Sequence, residues 1–208
     1  MQRDPQENAR KLYGIAAAQG GYFTAAQARQ AGYAYSQQHF HVSRGNWLKI
    51  DRGLFRLRDF PSGEREDLIL WSLWSRNQMS VPQAVVSHDT ALTVHALSDV
   101  MPAQVHLTVP PRFRKEGPPG CVLHKATLAP DDIEPRRGYQ VTTPLRTLLD
   151  VADSALSQEH LNKAVSDALE RGLVRRRLLE TAPCSPKARR RLEQALAIAQ
   201  REGSPKRT

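Results

Sequence analysis

The middle of the chain carries a set of histidines and carboxylates whose types suit metal binding or phosphodiester hydrolysis. On a helix that starts near residue 88, His88, His95 and Asp99 fall at spacings of seven and four residues, roughly on one face. His88 and His95 would still lie two turns apart, too far to share one metal ion. We therefore favour a structural interpretation, in which His88 caps the helix and His95 occupies a polar edge of the core. A metal-dependent nuclease or phosphodiesterase is the alternative. The full set is His88, Asp89, His95, Asp99, His106 and His124.

Arg146 lies in the first turn of a second predicted helix, after Thr143 as N-cap and Pro144 at the first helical position. Its guanidinium could bind a phosphate or an acidic partner, or it could pair with Asp150 at i,i+4 and only stabilise the helix. We favour the pair. The chain contains no Walker-type phosphate loop and no Gly-x-Ser-x-Gly motif. Because these catalytic signatures are missing, we expect no enzyme, no metal and no cofactor.

A group of polar and basic residues near the N-terminus has the types that bind DNA. Gln37, Gln38 and His41 are predicted to contact base edges, and no acidic residue interrupts them. Basic residues nearby are predicted to contact phosphates, because Lys and Arg neutralise the DNA backbone. The complete predicted DNA-binding set is Ser36, Gln37, Gln38, His41, Arg44, Lys49, Arg52 and Arg56.

The local sequence predicts a winged helix-turn-helix that would position this set. Thr24 is a predicted N-cap before a short helix that ends at Gly32, and Ser36 is a predicted N-cap for a second helix that ends at Gly45. Residues 47–50 and 54–57 are rich in strand formers and are joined by a turn containing Gly53, which predicts a hairpin. The predicted aromatic core is Tyr33, Phe40, Trp47 and Phe55.

The remainder of the chain predicts an α+β protein, a mixed α/β chain with a small sheet and a helical C-terminus. Strands are expected at 105–109, 121–125 and 139–142, and helices after Thr143, Ser157 and Pro186. The sequence around Phe60 to Gly63 breaks the pattern. We therefore predict three parts: a DNA-binding domain at 1–60, an α+β domain at 61–182, and a basic helix and tail at 183–208.

Composition is consistent with a protein that binds nucleic acid. The formal net charge is +9, and the positive charge is concentrated at the two ends of the chain. No apolar run reaches membrane-spanning length, and the polar N-terminus does not resemble a signal peptide, so we expect a cytoplasmic protein without membrane contact. A winged helix that docks to proteins instead of DNA is a further alternative.

Three stretches resemble the AbiEi-type antitoxins of bacterial type IV toxin–antitoxin systems. They are Ser43–Trp47 with Ile50–Leu57, Val85–Leu92 with Leu97–Pro102, and Val141–Asp150. Their order and spacing cover most of residues 10 to 175. The resemblance implies an N-terminal winged helix that binds double-stranded operator DNA and represses its own operon, with inverted repeats as one arrangement of the operator. It also implies a C-terminal domain that counteracts a nucleotidyltransferase toxin without a stable complex. His88 and Arg146 lie in the matching C-terminal segments.

Overall fold

A computed structural model of the protein describes residues 5–202, which form an α+β fold. Contacts divide the chain into two compact units. The first, called the winged-helix unit, extends to Gln83 and includes Arg136–Tyr139. The second, called the C-terminal unit, comprises Ala84–Pro135 and the chain from Gln140 onward. The fold class predicted from the sequence is confirmed.

The N-terminal segment contains the predicted helix-turn-helix and its hairpin, with one helix before them and one after. Its elements are α1 (Pro5–Ala17), β1 (Tyr22–Thr24), α2 (Ala25–Gln30), α3 (Tyr35–Ser43), β2 (Trp47–Asp51), β3 (Leu54–Leu57) and α4 (Glu66–Trp74). β3 lies between β1 and β2 and is antiparallel to both. The ladder between β2 and β3 shifts register between Lys49 and Asp51, next to the hairpin turn. β2 is the exposed outer strand of the wing, whereas β3 is largely buried between its two neighbours.

Thr24 begins α2 as the sequence predicts. Its hydroxyl accepts a hydrogen bond from the backbone N–H of Gln27, and the Gln27 side chain accepts one from the backbone N–H of Thr24, at 3.1 and 2.8 Å. This reciprocal capping box satisfies two backbone donors at the helix start. α2 is thereby fixed against the strand that precedes it.

An aromatic core holds the helix-turn-helix and the wing together. Phe23 packs edge-on against Trp47, with ring centroids 4.8 Å apart, and Tyr33 packs edge-on against Trp47 at 5.0 Å. Leu12 and Ala16 of α1 complete this core, which is almost fully buried. The predicted core aromatics Tyr33, Trp47 and Phe55 are buried. Phe40 is not, because it lies on the outer side of α3, where 52% of its surface is exposed.

Helix α4 belongs to the winged-helix unit, so this unit is longer than the predicted domain 1–60. Ile69 and Leu73 of α4 pack with Tyr22 and Leu54 in a second buried cluster. The break at residues 60–63 is a turn within one unit, and the division of the chain falls after Gln83. The apolar residues of α4 therefore cover the sheet of the winged helix.

The remaining elements form one mixed sheet and a helical layer. They are β4 (Val85–Val86), α5 (His88–His95), β5 (Val105–Val109), β6 (Cys121–Lys125), β7 (Ile133–Arg136), β8 (Tyr139–Thr142), α6 (Pro144–Asp153), α7 (Gln158–Glu170), α8 (Arg176–Thr181) and α9 (Pro186–Glu202). The strand order is β6-β5-β4-β8-β7. β4 runs antiparallel to β5 and parallel to β8, and β5 runs parallel to β6. Two of the pairings are thus parallel.

The core of the C-terminal unit lies among its helices. Leu148 of α6, Leu161 of α7 and Leu192 of α9 are fully buried in one cluster, together with Leu92 of α5. Because α9 contributes to this core, residues 186–202 are an integral part of the unit, unlike the separate basic helix predicted at 183–208. The predicted basic tail at 203–208 lies outside the described residues. Within residues 5–202, no helix is both long enough and apolar enough to cross a membrane.

Candidate nucleic-acid interface

Helix α3 is held in place by its own backbone caps and by the wing. The helix starts at Tyr35 with Ala34 as its N-cap, so the predicted N-cap Ser36 lies inside the first turn. The cap is made by Gln37, whose side-chain Oε1 accepts a hydrogen bond from the Ala34 N–H at 2.8 Å. At the other end, Arg44 is the C-cap and Gly45 adopts a φ of +74°, which favours glycine.

The outer face of α3 differs from the face that the sequence predicted. At about 100° per residue, five side chains share an arc of about 140°, and all five are exposed. Gln38 is buried, and Val42 is partly buried against the core beside one edge of this arc. The outer face consists of Tyr35, Ser36, His39, Phe40 and Ser43.

Gln38 is a structural residue, and its predicted role in base contact is wrong. Only 2% of its surface is exposed. Its Nε2 donates hydrogen bonds to the carbonyl oxygens of Ala25 and Tyr33, at 3.2 and 3.3 Å, and so joins α3 to α2. Its buried Oε1 has no hydrogen-bond partner among the described residues. A side chain this buried cannot reach a base edge.

His41 packs against the wing and contributes little surface. Its ring stacks on Trp47 with centroids 4.8 Å apart and planes 13° from parallel, and its Nδ1 lies 3.2 Å from the side-chain nitrogen of Asn46. Burial lowers the pKa of His41, which favours the neutral imidazole. His41 therefore aligns α3 with β2. Gln37 is exposed, but its Oε1 is already used in the cap.

The wing presents two exposed cations beside α3. Lys49 of β2 and Arg52 of the hairpin turn are both exposed. They line a cleft of about 170 Å³ together with Tyr35 and His39 of α3. Arg44 is exposed at the end of α3, with its guanidinium carbon 5.4 Å from the centroid of the Phe40 ring. These three cations border the outer face of α3.

Arg56 does not belong to this surface, and its predicted phosphate contact is wrong. It is 8% exposed and points to the other side of the sheet. Its Nη2 lies 3.2 Å from Oε1 of Glu66 on α4, and its guanidinium lies over the Tyr22 ring at 5.5 Å. The Tyr22 hydroxyl donates to the other Glu66 oxygen at 2.7 Å. Arg56 therefore attaches α4 to the sheet.

The pKa values in this cluster support that structural role. Burial acts to raise the pKa of Glu66, but hydrogen bonds from the Gly63 N–H and the Tyr22 hydroxyl and the charge of Arg56 outweigh it and lower the pKa. Burial and the bond to Glu66 raise the pKa of Tyr22 to about 12. Glu66 is consequently ionised and Tyr22 protonated at neutral pH.

Sequence reasoning missed Tyr35, His39 and Phe40 as surface residues. The signal was present in the spacing, because Ser36, His39, Phe40 and Ser43 recur at intervals of three and four residues. It was obscured because aromatic residues in a small domain are usually core.

The histidines of the C-terminal unit form a different cluster from the predicted one. His88 stacks face to face on His124, with centroids 3.5 Å apart and planes 11° from parallel, and His124 Nε2 lies 3.2 Å from His106 Nδ1. His95 lies apart from them, buried, with Nε2 2.7 Å from the Thr142 carbonyl oxygen. His88 is not a cap: Ser87 is the N-cap, and His88 starts the helix with a φ of +50°. The grouping arises because β5 and β6 are paired in parallel and bring His106 and His124 together.

The imidazoles of His88 and His124 are neutral at physiological pH. Burial and then the neighbouring His124, His106 and Arg146 lower the pKa of His88 to about 3. Burial and His106 lower the pKa of His124 to about 4. Ring nitrogens bind a metal in the ring plane, so two stacked rings do not converge on one ion. Among residues 5–202, no group of three or more His, Cys, Asp or Glu is arranged to hold a metal.

Arg146 and His88 line the same cavity, which has a volume of about 220 Å³. Arg146 makes the predicted i,i+4 pair, with Nε 2.8 Å from Oδ1 of Asp150, and its Nη1 lies 3.3 Å from Oδ2 of Asp132. The Asp150 side chain is 9% exposed, and its Oδ2 has no partner within the described part of the chain. Burial raises the pKa of Asp150 to about 6, against the attraction of Arg146. The guanidinium thus compensates a buried carboxylate.

Comparison with known proteins supports the fold. No family model matches the sequence, and no curated protein matches it. Among solved structures, the chain is similar to the crystal structure of the RV2827C protein from Mycobacterium tuberculosis, with a TM-score of 0.56 and 17% sequence identity. The match covers 99% of this chain and 80% of that chain. At this identity the likeness shows the fold alone, and the resemblance to AbiEi-type antitoxins stays a prediction.

Proposed function

We propose that the protein is a DNA-binding transcriptional regulator that places α3 in the major groove and lays the wing along the phosphate backbone. The observation that carries this proposal is the outer face of α3. Its side chains are exposed and uncharged or weakly basic, and it is bordered by Arg44, Lys49 and Arg52. α3 itself contains no acidic residue. Such a surface matches the negative charge and the polar base edges of a duplex.

The residues that we propose for base contact, phosphate contact and structural support differ from those predicted from the sequence. In this proposal Ser36, His39 and Ser43 contact base edges, since their side chains project outward from one helix face. Lys49 and Arg52 contact phosphates. Gln38, His41 and Arg56 stabilise the unit that presents these groups.

A titration with DNA tests the proposal. The purified protein is titrated with the duplex upstream of its own gene and with a scrambled duplex of the same composition, at two salt concentrations. We expect tighter binding to the upstream duplex at both concentrations, with weaker binding overall at the higher salt. Equal affinity for the two duplexes would show that the protein does not recognise a sequence, and the proposal would fail.

The resemblance alone extends the proposal to a type IV toxin–antitoxin pair. In that role the protein represses its own operon through the winged-helix unit and counteracts a nucleotidyltransferase toxin through the C-terminal unit. The test is growth of cells that express a nucleotidyltransferase encoded beside this gene, with and without this protein. Growth restored only when this protein is present supports the antitoxin role. Growth that stays arrested, with this protein folded and expressed, refutes it.

A further inference from the structure

Two aromatic rings on α3 are left exposed by the winged-helix unit. Tyr35 is 81% exposed and Phe40 is 52% exposed, whereas Phe23 and Trp47 of the same unit are buried. Exposing rings to water forgoes the stabilisation that burial of apolar area provides. Single exposed rings are common on protein surfaces, so the meaning of these two depends on the polar and charged groups beside them.

The rings border the polar residues of the same face. Tyr35 and Phe40 lie at the two edges of the arc, with Ser36, His39 and Ser43 between them. Tyr35 and Phe40 are five positions apart, which is about 7.5 Å along the helix axis and about 140° around it.

The charge around the outer face of α3 indicates the chemical class of its partner. Arg44, Lys49 and Arg52 border this face, the hairpin carries one exposed carboxylate, Asp51, and α3 carries none, so the net positive charge favours an anionic partner. The partner must also offer apolar points to the rings and hydrogen-bonding groups to the residues between them. The major groove of DNA offers both, because thymine alone among the four bases carries a C5 methyl group there.

We infer that α3 selects thymine: Tyr35 and Phe40 contact thymine methyl groups in the major groove, while the residues between them contact base edges. The inference rests on the proposed DNA-binding function and adds the class of sequence that is bound. Ring contact with the methyl removes apolar surface of both groups from water, which is the source of the discrimination.

The experiment compares thymine with uracil, which differs only in lacking the methyl group. A preferred duplex is first selected by the wild-type protein from a randomised library, and each thymine of the selected site is then replaced singly by deoxyuridine. We expect affinity to fall by about fourfold at each contacted position, as for the loss of one buried methyl group. The same replacements are measured with Phe40→Ala and Tyr35→Ala. Tyr13→Ala is the matched control, because Tyr13 is also an exposed aromatic residue (58%) but lies on α1.

Each outcome decides the inference. The inference is supported if the wild-type protein loses affinity when a methyl group is removed. Tyr13→Ala should show the same loss, and Phe40→Ala or Tyr35→Ala should not. Equal affinity of the wild-type protein for the thymine and uracil duplexes overturns the inference while leaving the proposed function intact. The inference is also overturned, and the proposed function kept, if Phe40→Ala and Tyr35→Ala bind DNA as the wild-type protein does. The two rings would then be a surface for another protein. A selection that yields no preferred sequence overturns the proposed function as well.

Discussion

The Arg56→Ala substitution tests whether Arg56 stabilises the winged-helix unit or contacts DNA. Arg56 and Glu66 have side chains that are 10% and 22% exposed, and the substitution leaves the Glu66 carboxylate without its cation. Breaking a buried pair in this way costs about 3–5 kcal/mol. Glu66 keeps its bonds from Tyr22 and Gly63, at 2.7 and 2.8 Å, and remains partly in contact with water. We therefore expect a loss below this range, about 2 kcal/mol of unfolding free energy.

Tryptophan fluorescence during urea denaturation measures this loss of stability in the winged-helix unit. All three tryptophans, Trp47, Trp71 and Trp74, lie in the winged-helix unit, so their signal follows this unit alone. With a denaturant slope of about 1 kcal/mol per M for a unit of this size, the midpoint falls by about 2 M in Arg56→Ala. DNA affinity at low temperature, where the variant is folded, stays at the wild-type value.

Arg52→Ala is the matched control, since it removes the same charge from an exposed site on the same wing. We expect its unfolding midpoint to change by less than about 0.5 M, because surface substitutions usually cost little. Its affinity for DNA falls instead. The reasoning is refuted if Arg56→Ala unfolds at the wild-type midpoint and binds DNA weakly, because Arg56 would then belong to the DNA surface.

Two further predictions concern Asp150 and Gly21. Because the pKa of Asp150 is raised from 3.8 to about 6 by burial, its contribution to stability is complete below pH 4 and is lost as pH rises through 6. Asp150→Asn should remove this dependence, which amounts to about 3 kcal/mol and is measured by circular dichroism melting from pH 4 to 8; an identical pH profile for both proteins would contradict it. Gly21 has a φ of +90° and a Cβ there would overlap the Phe60 ring, so Gly21→Ala should cost the winged-helix unit about 2 kcal/mol in urea denaturation. Gly63→Ala, where a Cβ meets nothing within 4 Å, should be neutral, and equal midpoints for the two variants would refute the assignment.

Local signals in the sequence were sufficient to predict the winged helix. The cap at Thr24, the turn at Gly53 and the strand formers of the hairpin each act over a few residues, and all are present in the structure. β7 was missed because its sequence, Ile133–Arg136, contains a proline and two charged residues. Neither its composition nor its length suggests a strand, and only pairing within the sheet stabilises it.

The orientation of α3 could not be predicted with the same success. Its nine residues include few apolar ones, and the most apolar of them, Phe40, lies on the outer face. The inner face is defined by Gln38, a polar residue whose amide bonds to two carbonyls of the preceding helix and turn. A polar side chain buried through long-range hydrogen bonds leaves no hydrophobic periodicity in the sequence. Arg56 was likewise predicted to be a surface cation, because the partner that buries it, Glu66, lies ten residues away in the sequence.

The central claim, that α3 and the wing bind DNA, is tested most directly by the salt dependence of DNA affinity. The logarithm of the binding constant is measured against the logarithm of salt concentration for the wild-type protein, for Lys49→Ala/Arg52→Ala and for Arg10→Ala, which removes an exposed cation from α1. Each phosphate contact adds about 0.9 to the slope. We predict that the double variant loses about 1.8 from the slope and that Arg10→Ala keeps the wild-type value. A double variant with the wild-type slope and affinity would contradict the account.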